Sequence, residues 1–329
     1  MVARRPFTRR RSKTAFVLSG GGNLGALQVG MLRALDEFGV VPDVVLGCSV
    51  GALNGAAYAL RPDTAGVDEL VRFWTATTSD EVMPSSRLPS MVQLLRRGES
   101  LHPSDGLRRG VESLLGASRR FDELVLPFQC VAAEVETAAE TWFEHGAVVP
   151  AILASAALPA VYPSVTIDGR VYLDGGVVNN VPITRAIELG CSEIIVLHVG
   201  LHGRPDAQIR RPLDAAMQAY WVARNARFAN DLATLPDGVE VLILPPGQRP
   251  DIRYDDFTQG ADLIDRGHRN AVEFLERRQS ELDERAGGER SGRLDRLRER
   301  ARSTSWFLAA RRAASDPEGA VLGPYDEEH

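Results

Sequence analysis

The sequence predicts an α/β fold of three layers, α/β/α, with a mostly parallel central sheet and a helical cap inserted after the second strand–helix unit. Three observations lead there. Short, almost wholly apolar runs at 14–19, 44–46, 128–134 and 194–199 read as strands buried on both faces, the condition of parallel strands covered by helices. The first two pass at once into helical patterns, so strand–helix units follow one another and parallel crossovers are expected. Between Arg61 and Leu126 the alternation loosens into amphipathic pieces separated by segments rich in Pro, Ser and Gly.

Taken in order, Thr-Ala-Phe-Val-Leu-Ser at 14–19 forms the first strand and is stopped by Gly20-Gly21-Gly22. From Asn23 the apolar residues Leu24, Leu27, Met31, Leu32 and Leu35 recur at three- and four-residue spacing, which is helical, and Gly39 ends that helix. Pro42-Asp43 leads into the strand at 44–46, which runs through Gly47-Cys48-Ser49-Val50-Gly51 into a helix at 52–60. The cap, about 62–126, carries amphipathic pieces at 67–75, 90–95 and 107–115. Then come a strand at 128–134, a small-residue helix at 150–157 closed by Leu158-Pro159, and a brief strand at 171–173 that delivers Asp174-Gly175-Gly176. A helix at 183–189, a strand at 194–199, a long helix at 213–235 with Tyr220, Trp221 and Phe228, a strand at 239–244 and a helix at 262–275 complete the domain.

At 329 residues the chain is long enough for one sizeable domain, placed at 14–280, with a basic arm at 1–13 and a charged tail at 281–329. Hydrophobic residues make up 44% and charged residues 25%, ordinary for a soluble globular chain. The formal charge of -6 argues against nucleic acid as a partner. Cys48, Cys130 and Cys191 lie in apolar runs without metal-ligand spacing, so core packing in a reducing, cytoplasmic setting is expected, with no metal and no cofactor. No run reaches the length of a transmembrane helix. The arm, with Arg4, Arg5, Arg9, Arg10, Arg11 and Lys13, reads as a solvated basic segment and the arginine-rich stretch at 290–312 as a mobile or surface-packed helix, with transient contact to a membrane surface as the alternative reading of each. Oligomeric state is left open.

The chemistry concentrates in three motifs. Strand, Gly-x-Ser-x-Gly, then helix is the form of a nucleophile elbow, in which a strained turn projects Ser49 at a helix N-terminus and Gly47 and Gly51 keep the flanks clear. Gly20, Gly22 and Gly25 fit Gly-x-Gly-x-x-Gly after a strand, as a dinucleotide site would. A ribose-binding acid should then close the second strand, but Asp43 sits at its start and Ser49 at its end. The amides of Gly20, Gly21 and Gly22 are therefore assigned to an oxyanion hole. Asp174, held at a turn before Gly175 and Gly176, is the candidate base, able to serve if desolvated beside Ser49. His198 and His202 leave an ordinary Ser, Asp, His triad open; His198 reads as a core residue and His202 as a loop residue.

Together these motifs resemble the patatin-like phospholipases, which show a glycine-rich loop, a Gly-x-Ser-x-Gly elbow and a downstream Asp-Gly-Gly in that order. The similarity extends to Ala154-Ser155-Ala156-Ala157-Leu158-Pro159 and to Asp174-Gly175-Gly176-Val177-Val178-Asn179-Asn180-Val181-Pro182, covers 14–199 well and continues more weakly to 275. The resemblance implies a lipid acyl hydrolase with a Ser–Asp dyad and no metal, Ser49 as nucleophile, Asp174 as proton acceptor and Gly20, Gly21 and Gly22 as oxyanion loop, acting on a lipid or other acyl ester. One departure is Leu24, where many members carry Arg or Lys. The alternatives are a lipid-binding or regulatory protein on the same fold and a nucleotide-binding oxidoreductase.

Overall fold

Alternation along the core strands shows how the layers form. The computed structural model describes residues 12–82, 100–117, 119–199, 212–248, 250, 252 and 256–288. In β1 (Thr14–Leu18) Phe16 and Leu18 enter one apolar core while Ala15 and Val17 enter another. β2 (Val44–Cys48) sends Val45 to the first and Val44 and Leu46 to the second. A sheet buried on both faces needs helices on both, and they are present. The first face carries α1 (Gly25–Glu37), α2 (Val50–Leu60), α3 (Thr64–Ala76), the single turn α4 (Ser79–Val82), α5 (Asp105–Leu115) and α6 (Val148–Ser155). The second carries α7 (Ile183–Glu188) and α8 (Pro212–Ala233), whose Phe228 and Leu232 are buried there. The last helix, α9 (Gly260–Gly288), packs along α1 and runs well past residue 275, where the apolar pattern fades.

The remaining strands are β3 (Phe128–Glu134), β4 (Ala139–Phe143), β5 (Val165–Ile167), β6 (Arg170–Asp174), β7 (Glu193–Leu197) and β8 (Glu240–Leu244). Among the described residues they form one eight-stranded sheet in the order β5-β6-β3-β2-β1-β7-β8, with β4 also on β3. Pairs β1–β2, β1–β7, β2–β3 and β7–β8 are parallel, and β3–β4, β3–β6 and β5–β6 antiparallel. Two of these strands, β4 and β5, are absent from the sequence-based expectation.

The register around β3 positions everything that follows. Cys130 and Val131 pair with β2 on one edge and with β4 on the other. Ala132, Ala133 and Glu134 pair with β4 on that same far edge, so β6 occupies the edge that β2 has just left. Cys48 stands opposite Val131 and Asp174 opposite Ala132, on strands of opposite direction. The C-terminal ends of β2 and β6 therefore meet head-on.

The pieces of the expected cap that fall among the described residues are helical. α3, N-capped by the Asp63 carboxylate on the Gly66 N–H at 2.9 Å, lies against α1, α2 and α9, and α5 against α2 and α6. The expected pieces at 1–11, 90–95 and 289–329, and His202, lie outside the described residues. Among those described, no helix is long and apolar enough to cross a membrane.

Candidate active site

β2 turns into α2 at Ser49, whose φ of 53 and ψ of -122 place it in a region that costs a non-glycine residue about 1–3 kcal/mol. The turn is tight enough that a Cβ on Gly47 would collide with the backbone of Gly51 and Ala52, and one on Gly51 with the carbonyls of Leu18 and Ser19. Ser155, at the end of α6, holds the strained residue in place: its Oγ accepts the Ser49 N–H at 2.9 Å. A buried polar network fixes the other side. Trp74 Nε1 donates to Asn54 Oδ1, Asn54 Nδ2 to Gly25 O and Gln28 Oε1, and Gln28 Nε2 to the carbonyls of Ser19 and Leu197, tying α3, α2 and α1 to the root of the glycine loop.

Asp174 arrives from the opposite direction on β6 and is 1% exposed. Its N–H donates to Ala157 O at 2.9 Å, so the segment 155–157 pins both Ser49 and Asp174. Carboxylate Oδ1 accepts the Gly176 N–H at 2.7 Å and the Tyr220 hydroxyl at 3.4 Å, and the Cys48 thiol lies 3.9 Å away. The Ser49 side chain lies close enough to the same carboxylate to favour its ionised form. Burial pushes the acid up to about 6; the nearby Ser49 side chain, the Gly176 hydrogen bond, the Arg224 charge and the Tyr220 hydroxyl restrain the rise. Burial, with the Asp174 charge beside them, pushes the Cys48 thiol and the Tyr220 phenol well up, so both stay protonated at neutral pH.

The glycine loop lies directly over the elbow, since a Cβ on Gly20 would stand 3.2 Å from Ser49 Cβ. Its three glycines are not equivalent. The Gly20 N–H donates to Asn180 O at 3.2 Å and is committed to the fold, whereas the Gly21 and Gly22 amides meet no acceptor among the described residues. Gly25 and Gly175 are packing positions, the first against Val50 and Trp74 and the second against the Val131 carbonyl. Leu24 packs half-buried against the apolar core.

The structure thus brings Ser49, Asp174, Gly20 and Gly176 together. His198 is buried and stacks on Phe228 with ring centroids 5.1 Å apart. Ser155, Tyr220 and Arg224 are the neighbours that sequence reasoning did not single out for the site. The four-residue spacing of Tyr220 and Arg224, which puts both on one helix face, was the available signal.

A family model described as "Patatin-like phospholipase" matches residues 16–187, just over half of the chain. The chain belongs to the patatin-like phospholipase family. The match begins within β1 and ends within α7, so it takes in the glycine loop, the elbow and Asp174. Over 194 residues the chain is 28% identical to "Patatin-like phospholipase domain-containing protein 7" of Rattus norvegicus, covering 58% of this chain and 14% of that one. It is 28% identical over 188 residues to "Lysophospholipase nte1" of Aspergillus terreus, covering 56% and 12%. The chain thus spans a small part of the length of these curated relatives. A solved structure, VipD from Legionella pneumophila, aligns over 80% of this chain and 67% of that one with a TM-score of 0.43 at 13% identity.

Proposed function

We propose that this patatin-like chain hydrolyses the ester bonds of lipids, a phospholipid, lysophospholipid or simpler acyl ester, through a Ser49–Asp174 dyad. The observation that carries the reading is the head-on meeting of β2 and β6, which sets a strained serine against a buried, desolvated carboxylate under the glycine loop. Ser49 Oγ attacks the ester carbonyl as its proton passes to Asp174, whose acidity near 6 leaves it about nine-tenths ionised at pH 7. The Gly21 and Gly22 amides and the N-terminus of α2 face the developing oxyanion, a contribution worth about 10²–10³ in rate per donor. Asp174 then returns the proton to the leaving alkoxide, giving an acyl-serine. In the second half Asp174 takes a proton from water as the water attacks the acyl carbon, then passes it to Ser49 Oγ as the C–O bond breaks, which frees the fatty acid and restores the serine hydroxyl and the carboxylate.

The name of the Aspergillus relative supports lysophospholipids among the esters to be tried. Purified protein should turn over p-nitrophenyl acyl esters and lysophosphatidylcholine, and a fluorophosphonate should label it at Ser49. Ser49→Ala and Asp174→Ala should each abolish turnover with the fold kept. Full activity in Ser49→Ala would end the proposal.

A further inference from the structure

The lower half of α8 is rooted in the protein. Phe228 and Leu232 are buried, and the Arg227 guanidinium reaches Glu140 of β4 at 3.1 Å, Asp231 at 2.9 Å and the Val178 carbonyl at 3.5 Å. Glu140 also takes the Asn179 amide at 3.1 Å, so the helix and the turn after Asp174 share one anchor. One and two turns before Phe228, on the same face, stand Arg224 and Tyr220. The Tyr220 hydroxyl donates to Asp174 Oδ1 at 3.4 Å. The Arg224 guanidinium lies over the Tyr220 ring, 5.8 Å from its centroid. The second glycine of Asp-Gly-Gly makes room for this contact: a Cβ on Gly176 would occupy the place of the phenol oxygen.

We propose that Tyr220 is a positioning residue for Asp174, seated by Gly176 and steadied by Arg224. The proposal rests on the Ser49–Asp174 reading above. A carboxylate attached by one bond can rotate, and its orientation decides whether an oxygen faces the serine. The Gly176 N–H, the Tyr220 hydroxyl and the Cys48 thiol all approach Oδ1, which leaves Oδ2 to receive the Ser49 proton. Donors on Oδ1 also favour the ionised form against its burial. Among the described residues, the titratable and charged groups facing the carboxylate are the neutral Cys48 thiol from β2 and the Tyr220 phenol and Arg224 guanidinium from α8, and of these Arg224 carries charge.

The test is the pH dependence of p-nitrophenyl ester hydrolysis by full-length Tyr220→Phe, Arg224→Lys and Arg224→Met beside the wild type and Ser49→Ala. Tyr220→Phe removes one oxygen and leaves the ring under Arg224. Its acid limb in kcat/KM should move up by about half to one pH unit, roughly three- to eightfold lower activity at pH 5.5, with KM within about twofold and melting unchanged. Arg224→Met should move the limb the same way, and Arg224→Lys, which keeps the charge, should move it less. A merely structural role would lower the melting temperature and leave the limb in place. Wild-type limb and kcat in Tyr220→Phe, or in Arg224→Met should the first variant not fold, would overturn the proposal. With Ser49→Ala inactive in the same assay, that result would leave the hydrolase reading standing; activity in Ser49→Ala would remove that reading instead.

Discussion

Asp174→Asn should make this protein more stable while making it inactive. The carboxylate is 1% exposed, and its rise from an ordinary 3.8 to about 6 corresponds to about 3 kcal/mol, at about 1.4 kcal/mol per pH unit. That is a ceiling on what folding loses at neutral pH by keeping the group ionised. The amide is close in size and can keep the main contacts, its oxygen accepting from the Gly176 N–H and the Tyr220 hydroxyl and its NH₂ donating to Ser49 Oγ. The folded state binds the proton more tightly than the unfolded chain, so the wild-type carboxyl contributes relative stability below about pH 4, and that contribution is lost as the pH rises through about 6. Urea unfolding followed by tryptophan fluorescence at several pH values reads this directly. At pH 8 Asp174→Asn should be about 2–3 kcal/mol more stable than the wild type, with the gap closing as the pH falls through 6 and absent near 4. A variant less stable than the wild type at pH 8, or a gap that ignores pH, would refute the argument that desolvation dominates this site.

Two further outcomes follow from the same geometry. In the wild type, kcat/KM for a neutral ester should rise with pH through a limb near 6, because the raised pKa of Asp174 sets where the base becomes available; a limb near 4 would mean that the carboxylate is solvated in the working enzyme. Trp74→Phe keeps the apolar contact with Phe257 but strands Asn54 Oδ1 without its donor, and should cost about 1–3 kcal/mol in urea unfolding, whereas loss of the whole network in Asn54→Leu should cost less per bond removed.

The central strands were legible because strands buried on both faces become unbroken apolar runs. The elbow was legible because a turn that tight admits only glycine two residues before and two residues after Ser49, at Gly47 and Gly51. β4 was not: its residues Ala139 to Phe143 are half exposed and mix Glu and Thr with aromatics, and the hairpin turn places Ala138 at a φ of 51 without the Gly or Asn that marks such positions. β5 carried a readable sign, since Asp168-Gly169 supplies the two consecutive positive-φ residues, 51 and 78, of a two-residue hairpin. The inequality of the three loop glycines was out of reach, because only the return of Asn180 to the loop consumes the Gly20 amide. So was the seat of Tyr220, which depends on how β4 and the 174–180 turn clamp α8.

The site places two unfavourable features side by side, a backbone strained at Ser49 and a carboxylate stripped of water at Asp174, and neither would persist on a free loop. Ser49 directly follows Cys48, which stands opposite Val131 of β3, and Asp174 stands opposite Ala132, so the sheet fixes their separation before any side chain interacts. The end of α6 then takes the N–H of each, Ser49 through Ser155 Oγ and Asp174 through Ala157 O, so moving one without the other would break a buried hydrogen bond. In the dyad proposed above, this arrangement is what would let an aspartate serve in place of a histidine. A solvated carboxylate is too weak a base, and a buried one without donors would hold its proton at neutral pH. Burial opposed by the Gly176 N–H, Tyr220, Arg224 and Ser49 leaves it near 6, ionised in use and basic enough to accept the serine's proton as the bond to carbon forms.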